Sequence, residues 1–180
     1  MKTSLLDLNT PRLGAADVNA MANNPGIYAF WMRTGTATSL GINLCSALEK
    51  SGYSLVYIGI AKSMKKRQLW HWVTPFRDGS VIHGTISTLN QTLAALLGKP
   101  YVAENEIEIK QLMNNEMFVE VTYTDNIDQA LQLESDLLQK LSCPLNIAKN
   151  SDHPFCKILK SKRTDIRNVS ISIAKARRKK

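Results

Sequence analysis

Three β-rich runs, the helical spacing of the segments between them and the absence of any internal repeat predict an α+β fold, a layer of three strands with flanking helices. Residues 26–32 form an apolar, aromatic run, and residues 54–61 are rich in Val, Ile and Tyr. The third run, residues 116–123, sets Met117, Val119, Val121 and Tyr123 against Phe118, Glu120 and Thr122, the period of two that a strand requires.

The elements follow in order. Residues 1–24 carry no strong period and end in Asn23-Asn24-Pro25-Gly26, a turn cluster that launches the first strand. Between the first two strands, Thr34-Gly35-Thr36 reads as loop, and residues 43–50 read as a helix ended by Ser51-Gly52. That makes the connection an elaborated hairpin. A helix is predicted over residues 63–72, with Ser63 as its cap and Lys65, Lys66 and Arg67 in its first turns. Lysines there oppose the helix dipole, a local cost that a bound phosphate relieves. Leu89, Leu93, Leu96 and Leu97 define another helix, stopped by Gly98-Lys99-Pro100. Residues 104–114 are helical as well. Asp125 and Asp128 open a last helix that runs to Leu141 and stops at Cys143-Pro144.

The chain has 180 residues, 44% hydrophobic and 21% charged, which fits one globular domain with decorations. The division expected is an N-terminal extension (1–24), a central domain (25–150) and a basic C-terminal segment (151–180). No run approaches the roughly 18 apolar residues of a membrane span, and Lys2 and Asp7 interrupt any leader-like core, so a cytoplasmic location without a membrane partner is expected. Cys45, Cys143 and Cys156 are odd in number and lack paired short spacing, which excludes a disulfide framework or zinc knuckle and predicts reduced, mostly buried thiols. The net charge is +8, and residues 157–180 hold ten Lys or Arg against the single acid Asp165, or +9, so the rest is close to neutral. Such a segment is the electrostatic footprint of a polyanion-binding surface, with a solvated tail as the alternative. Its last residues, 175–180, read as a mobile arm.

Two tripeptides carry the chemistry. Gly26-Ile27-Tyr28 and Tyr57-Ile58-Gly59 are followed by Arg67 and His71, ten and fourteen residues beyond Tyr57, and Pro144-Leu145-Asn146 closes the segment. Glu134 falls on the apolar stripe of the last predicted helix, with Ile127, Ala130, Leu131, Leu138 and Leu141. A carboxylate on that face is costly unless a cation or donors compensate it, or unless its stem packs while its head reaches water. Arg67 and His71 share a helix face, four residues apart.

This combination resembles the GIY-YIG nuclease superfamily, over residues 25–146. The resemblance implies a small antiparallel sheet with helices, and a phosphodiester hydrolase that leaves a 5′-phosphate and a 3′-hydroxyl. It further implies that Glu134 binds the metal, magnesium or alternatively manganese, and that Arg67 neutralises the charge growing on the phosphate. One tyrosine takes the proton of the attacking water. That base is assigned to Tyr28, with Tyr57 positioning. His71 either assists proton transfer or orients a tyrosine or phosphate, and Asn146 buttresses the glutamate helix or its loop. Lys62, Lys65, Lys66, Lys162, Arg163, Arg177 and Arg178 are the expected DNA contacts. Compact members place their tripeptides much closer together. The 29–56 interval here, and the helix after Ser87-Thr88-Leu89, are similar to the restriction-type branch. DNA is the expected partner, and one site cuts one strand, so a double-strand cut requires a homodimer or two visits. A repair, recombination or mobile-element nuclease and a catalytically weak binding module remain alternatives.

Overall fold

A computed structural model describes residues 11–179 of the chain; the first ten residues of the expected extension and Lys180 of the expected arm lie outside them. The described residues form an α+β fold around a sheet of four strands, one more than the sequence predicts, in the order β2-β3-β1-β4 and antiparallel throughout. The strands are β1 (Gly26–Arg33), β2 (Glu49–Lys50), β3 (Tyr53–Ala61) and β4 (Met117–Tyr123). The helices are α1 (Thr34–Ser39), α2 (Met64–Trp72), α3 (Asp78–His83), α4 (Thr88–Leu97), α5 (Ala103–Glu116), α6 (Ile127–Lys140) and α7 (Phe155–Arg177).

The central strand β1 is apolar at every position up to Met32 because both of its faces are covered. Tyr28, Phe30 and Met32 enter the larger core with helices α2, α4, α5 and α7, while Ile27, Ala29 and Trp31 enter a smaller core under α6. The β1–β3 register shifts between Phe30 and Trp31, which pair with Tyr57 and Leu55 and leave Val56 without a partner. That bulge puts Val56 and Tyr57 on the same face, so Tyr57 is turned toward Tyr28. In the smaller core Glu120 is fully buried, accepting from Trp31 Nε1 at 2.9 Å and from Lys50 Nζ at 2.7 Å, which ties β4, β1 and β2 together.

Three segments differ from the sequence expectation. Residues 43–50 do not form a helix: Asn43 Oδ1 accepts from the Cys45 N–H, Ser46 takes a positive φ, and only then does β2 begin. Residues 34–39 are helical, stitched by Thr38 and Ser39 hydroxyls to backbone carbonyls and by Thr36 to Glu116. Of the arm expected at 175–180, residues 175–177 are instead the end of a long helix. It is the 23-residue helix α7, packed on α3 and α4 through Leu159, Ser170 and Ala174, and Arg177 near its end meets Asp78 and Glu104. The N-terminal residues also join the domain: Leu13 bridges Val119, and Val18 is buried in the larger core. Of the three thiols, Cys143 and Cys156 are buried and Cys45 is exposed. Among the described residues no helix is long and apolar enough to cross a membrane.

Removing Lys50 leaves the Glu120 carboxylate buried without its cation. Lys50→Met should therefore cost about 3–5 kcal/mol of unfolding free energy in a urea titration. A loss below about 1 kcal/mol would show that Trp31 alone satisfies Glu120.

Candidate active site

The site forms where β1 and β3 run side by side at their motif residues. Tyr28 pairs directly opposite Gly59. A Cβ on Gly59 would stand 2.6 Å from Cζ and Oη of Tyr28 and 2.9 Å from Cε1 of Tyr57, so the phenol of one strand occupies the space a side chain on the other would need. The two tyrosine rings lie 6.1 Å apart, tilted by 33°.

Behind Tyr28 stands His71, 1% exposed, on the inner face of α2. Its Nε2 is 3.1 Å from the Tyr28 hydroxyl and its Nδ1 is 2.7 Å from Oγ of Ser87. With the proton on Nδ1, the ring donates to Ser87 and accepts from Tyr28. Ser87 also caps α4, accepting from the Asn90 N–H, and the His71 carbonyl accepts from Asn90 Nδ2 and Lys110 Nζ. Burial first, then Arg67 and Lys110, push the His71 pKa down to about 3, so the imidazole is neutral across the physiological range. Lys110 is itself lowered to about 8 by burial.

Burial also raises both phenols, and Tyr28 most: Tyr57 and Glu134 add to its shift and Arg67 alone opposes it. For Tyr57, burial is opposed by the Tyr28 hydroxyl, then by Arg67 and by Arg163 of α7. Tyr57 is half-buried where Tyr28 is 2% exposed. Of the two, Tyr57 ionises more readily.

Arg67 lies on α2 and stacks over Trp70 at 4.9 Å. It lines a cleft of about 830 Å³ with Ile60, Lys62, Lys66, Trp70 and Ile127. Glu134 sits on the inner side of α6, its side chain 14% exposed, and its Oε2 accepts from Lys149 Nζ at 2.8 Å. The buried face of α6 is not quite the stripe the sequence predicts. Leu131 is exposed, and Leu133 and Leu137 pack with Leu138 and Leu141 instead. Asn146 ties the loop after α6 to β3. Its side-chain amide accepts from the Ile58 N–H at 2.8 Å and donates to the Ile58 carbonyl at 2.7 Å, acting as a strand residue along the free edge of β3.

The structure thus gathers Tyr28, Tyr57, Arg67, His71 and Glu134 within electrostatic reach of one another and sets Asn146 beneath the second tripeptide. The expected DNA contacts are more scattered. Lys62, Lys66 and Arg178 are exposed, but Lys65 donates to the Asn19 carbonyl and Arg177 is held by two acids. Ser87, Lys110 and Lys149 are site neighbours that the sequence reading missed as such. Ser87 is legible as a helix cap, but no signal marks Lys149, which reaches Glu134 from a loop where it adopts a positive φ.

Residues 26–165 match the GIY-YIG catalytic domain, and the chain belongs to that family. It is accordingly a nuclease, a hydrolase of the endonuclease type. No curated protein and no solved structure matches the chain.

The neutral His71 makes a pH prediction. Its folded pKa of about 3 lies below the unfolded value, so below about pH 6.5 the unfolded chain takes up a proton that the folded chain refuses. Stability therefore falls as pH drops through that window, by about 2 kcal/mol between pH 7 and pH 5 from this residue. Urea titrations at the two pH values should show that extra loss in wild type and not in His71→Gln. Equal losses would mean His71 is not held neutral.

Proposed function

We propose that this protein is a metal-dependent endonuclease that hydrolyses DNA phosphodiester bonds, with a restriction-like, site-selective role. The observation that carries the chemistry is the convergence of two phenols, one guanidinium and one carboxylate around the paired motif strands, with a neutral imidazole behind them. The interval between the motif strands supports site selectivity, since it adds α1 and the edge strand β2, which carry none of the site residues.

The donor set fits magnesium, and manganese equally. Among the described residues no three His, Cys, Asp or Glu side chains cluster, so Glu134 would hold the ion together with water and a substrate phosphate, the sparse hard-oxygen coordination that magnesium accepts. When bound, the ion supplies Lewis-acid charge at the scissile phosphate. Lys149 now sits on that carboxylate and would have to yield it.

Each side chain then has a task. Arg67 presents a planar donor fork to the nonbridging oxygens, where charge grows as water attacks. Tyr57, in its phenolate form, takes the proton of that water and becomes the neutral phenol. The burial difference supports this reversal of the assignment made from sequence: Tyr57 is the more exposed phenol, and Arg67 and Arg163 offset part of the burial that raises it. Tyr28 positions Tyr57. His71 orients Tyr28 by accepting its proton in a hydrogen bond, the role that suits an imidazole too buried to hold a charge. Asn146 fixes the backbone between Tyr57 and Gly59.

Supercoiled plasmid with magnesium tests the reading. Wild type should produce discrete fragments with 5′-phosphate ends; smears or nicks alone would instead favour a structure-selective enzyme. Glu134→Gln should abolish cutting while retaining DNA binding, and wild-type turnover in that variant would refute the site. Arg67→Lys replaces the fork by a point charge and should lower the single-turnover rate by about 10²–10³.

A further inference from the structure

A second cationic locus lies beside the site. On α7, Lys160, Arg163, Thr164 and Arg167 follow one another at three- and four-residue spacing and line a cavity of about 360 Å³ with Gln91 of α4 and Ile147. Three cations and no acid line it. Arg163 is half-buried and makes no hydrogen bond or ion pair among the described residues, unlike Arg177 on the same helix, which meets Asp78 and Glu104. A guanidinium withdrawn from water without a counter-charge weakens the free protein. An anion in the cavity would reverse that cost.

The anion's nature follows from what surrounds it. Thr164 spends its proton on the Lys160 carbonyl, and Gln91 gives one amide proton to the Ile86 carbonyl, so the free donors are the three cations. Arg167 passes over Gly84, where an added Cβ would come 3.6 Å from its Nη2. Ile147 of the cavity follows Asn146, whose side chain is bonded to Ile58 beside Tyr57, and Arg163 interacts electrostatically with Tyr57, so the cavity adjoins the reaction centre. We infer that Lys160, Arg163 and Arg167 form a second phosphate site, which binds a backbone phosphodiester flanking the scissile one and sets the strand's register across Tyr57. The inference rests on the DNA-nuclease reading and adds to it a positioning contact. Arg167 lies beyond residue 165, where the family match ends.

The test is equilibrium binding of a fluorescein-labelled DNA duplex to the full chain without divalent cation, from about 50 to 200 mM salt. Arg163→Gln/Arg167→Gln is compared with Lys140→Gln/Lys157→Gln, which removes the same charge from exposed positions outside the cavity. The cavity variant should weaken binding about tenfold and flatten the slope of log affinity against log salt by about one to two, well beyond the control. Its melting temperature without DNA should match or exceed wild type, because a desolvated cation is gone, and Arg163→Lys should restore part of the affinity. Equal slopes in the two double variants would overturn the site. So would a melting temperature lowered by several degrees, which would mean that Arg163 serves the fold. Absence of salt-dependent binding in wild type would instead overturn the DNA reading itself.

Discussion

The space above Gly59 is the constraint on which the site depends. The Tyr28 ring fills it from the neighbouring strand, and any side chain at position 59 would meet that ring well inside contact distance. On the other side of β1, a Cβ on Gly26 would stand 2.4 Å from the Thr122 carbonyl of β4. The two glycines of the tripeptides therefore do matching work: one lets β4 close on β1, the other lets a phenol lie flat across β3. Once Tyr28 is held there, its hydroxyl lies 3.1 Å from Nε2 of His71, and the chain of contacts from Ser87 through His71 to Tyr28 is set.

Burial is what makes that chain directional. Water is excluded from Tyr28 and His71, so neither ionises easily, and the cations Arg67 and Lys110 suppress protonation of the imidazole further. A neutral acceptor behind a protonated phenol leaves the next phenol outward as the one of the two where charge costs less. The bulge at Val56 matters here because it turns Tyr57 toward Tyr28 without disturbing the pairing of Tyr28 with Gly59. Asn146 completes the arrangement by pairing with both polar groups of Ile58, which the short strand β2 does not reach.

Much of this was legible in the sequence, and the reasons for the gaps are physical. β1, β3, β4, α2, α4, α5 and α6 declare themselves by period and by caps: Ser63 and the turn before α6 behave as read, although the cap of α6 is Asn126 and not an aspartate. Glu134 stands out because a carboxylate breaks an apolar face. Residues 43–50 misled because three leucine- and alanine-bearing positions imitate a helical stripe, whereas Asn43 and the positive φ of Ser46 decide the backbone. The basic end misled in the other direction. Its charge density reads as disorder, but Phe155, Leu159, Ser170 and Ala174 give α7 a buried stripe, and Asp78 and Glu104, acids far away in sequence, neutralise Arg177.

That last pairing separates the positive charge into two kinds. Where the fold needs a cation it supplies an anion: Lys50 has Glu120, Arg33 has Glu116, Lys99 has Glu108 and Arg177 has two acids. Glu134 is matched in the same way, by Lys149, but that partner is a flexible lysine at the surface that a stronger cation can displace. Arg67, Arg163 and Arg167 have no such acid among the described residues, and all three stand around the tyrosines or in the cavity beside them. Cationic charge left unmatched beside a reaction centre is what a polyanionic substrate would complete. The same reasoning suits the proposed site, with Glu134 as its one carboxylate among the described residues: further carboxylates would cancel a field that attracts a phosphodiester.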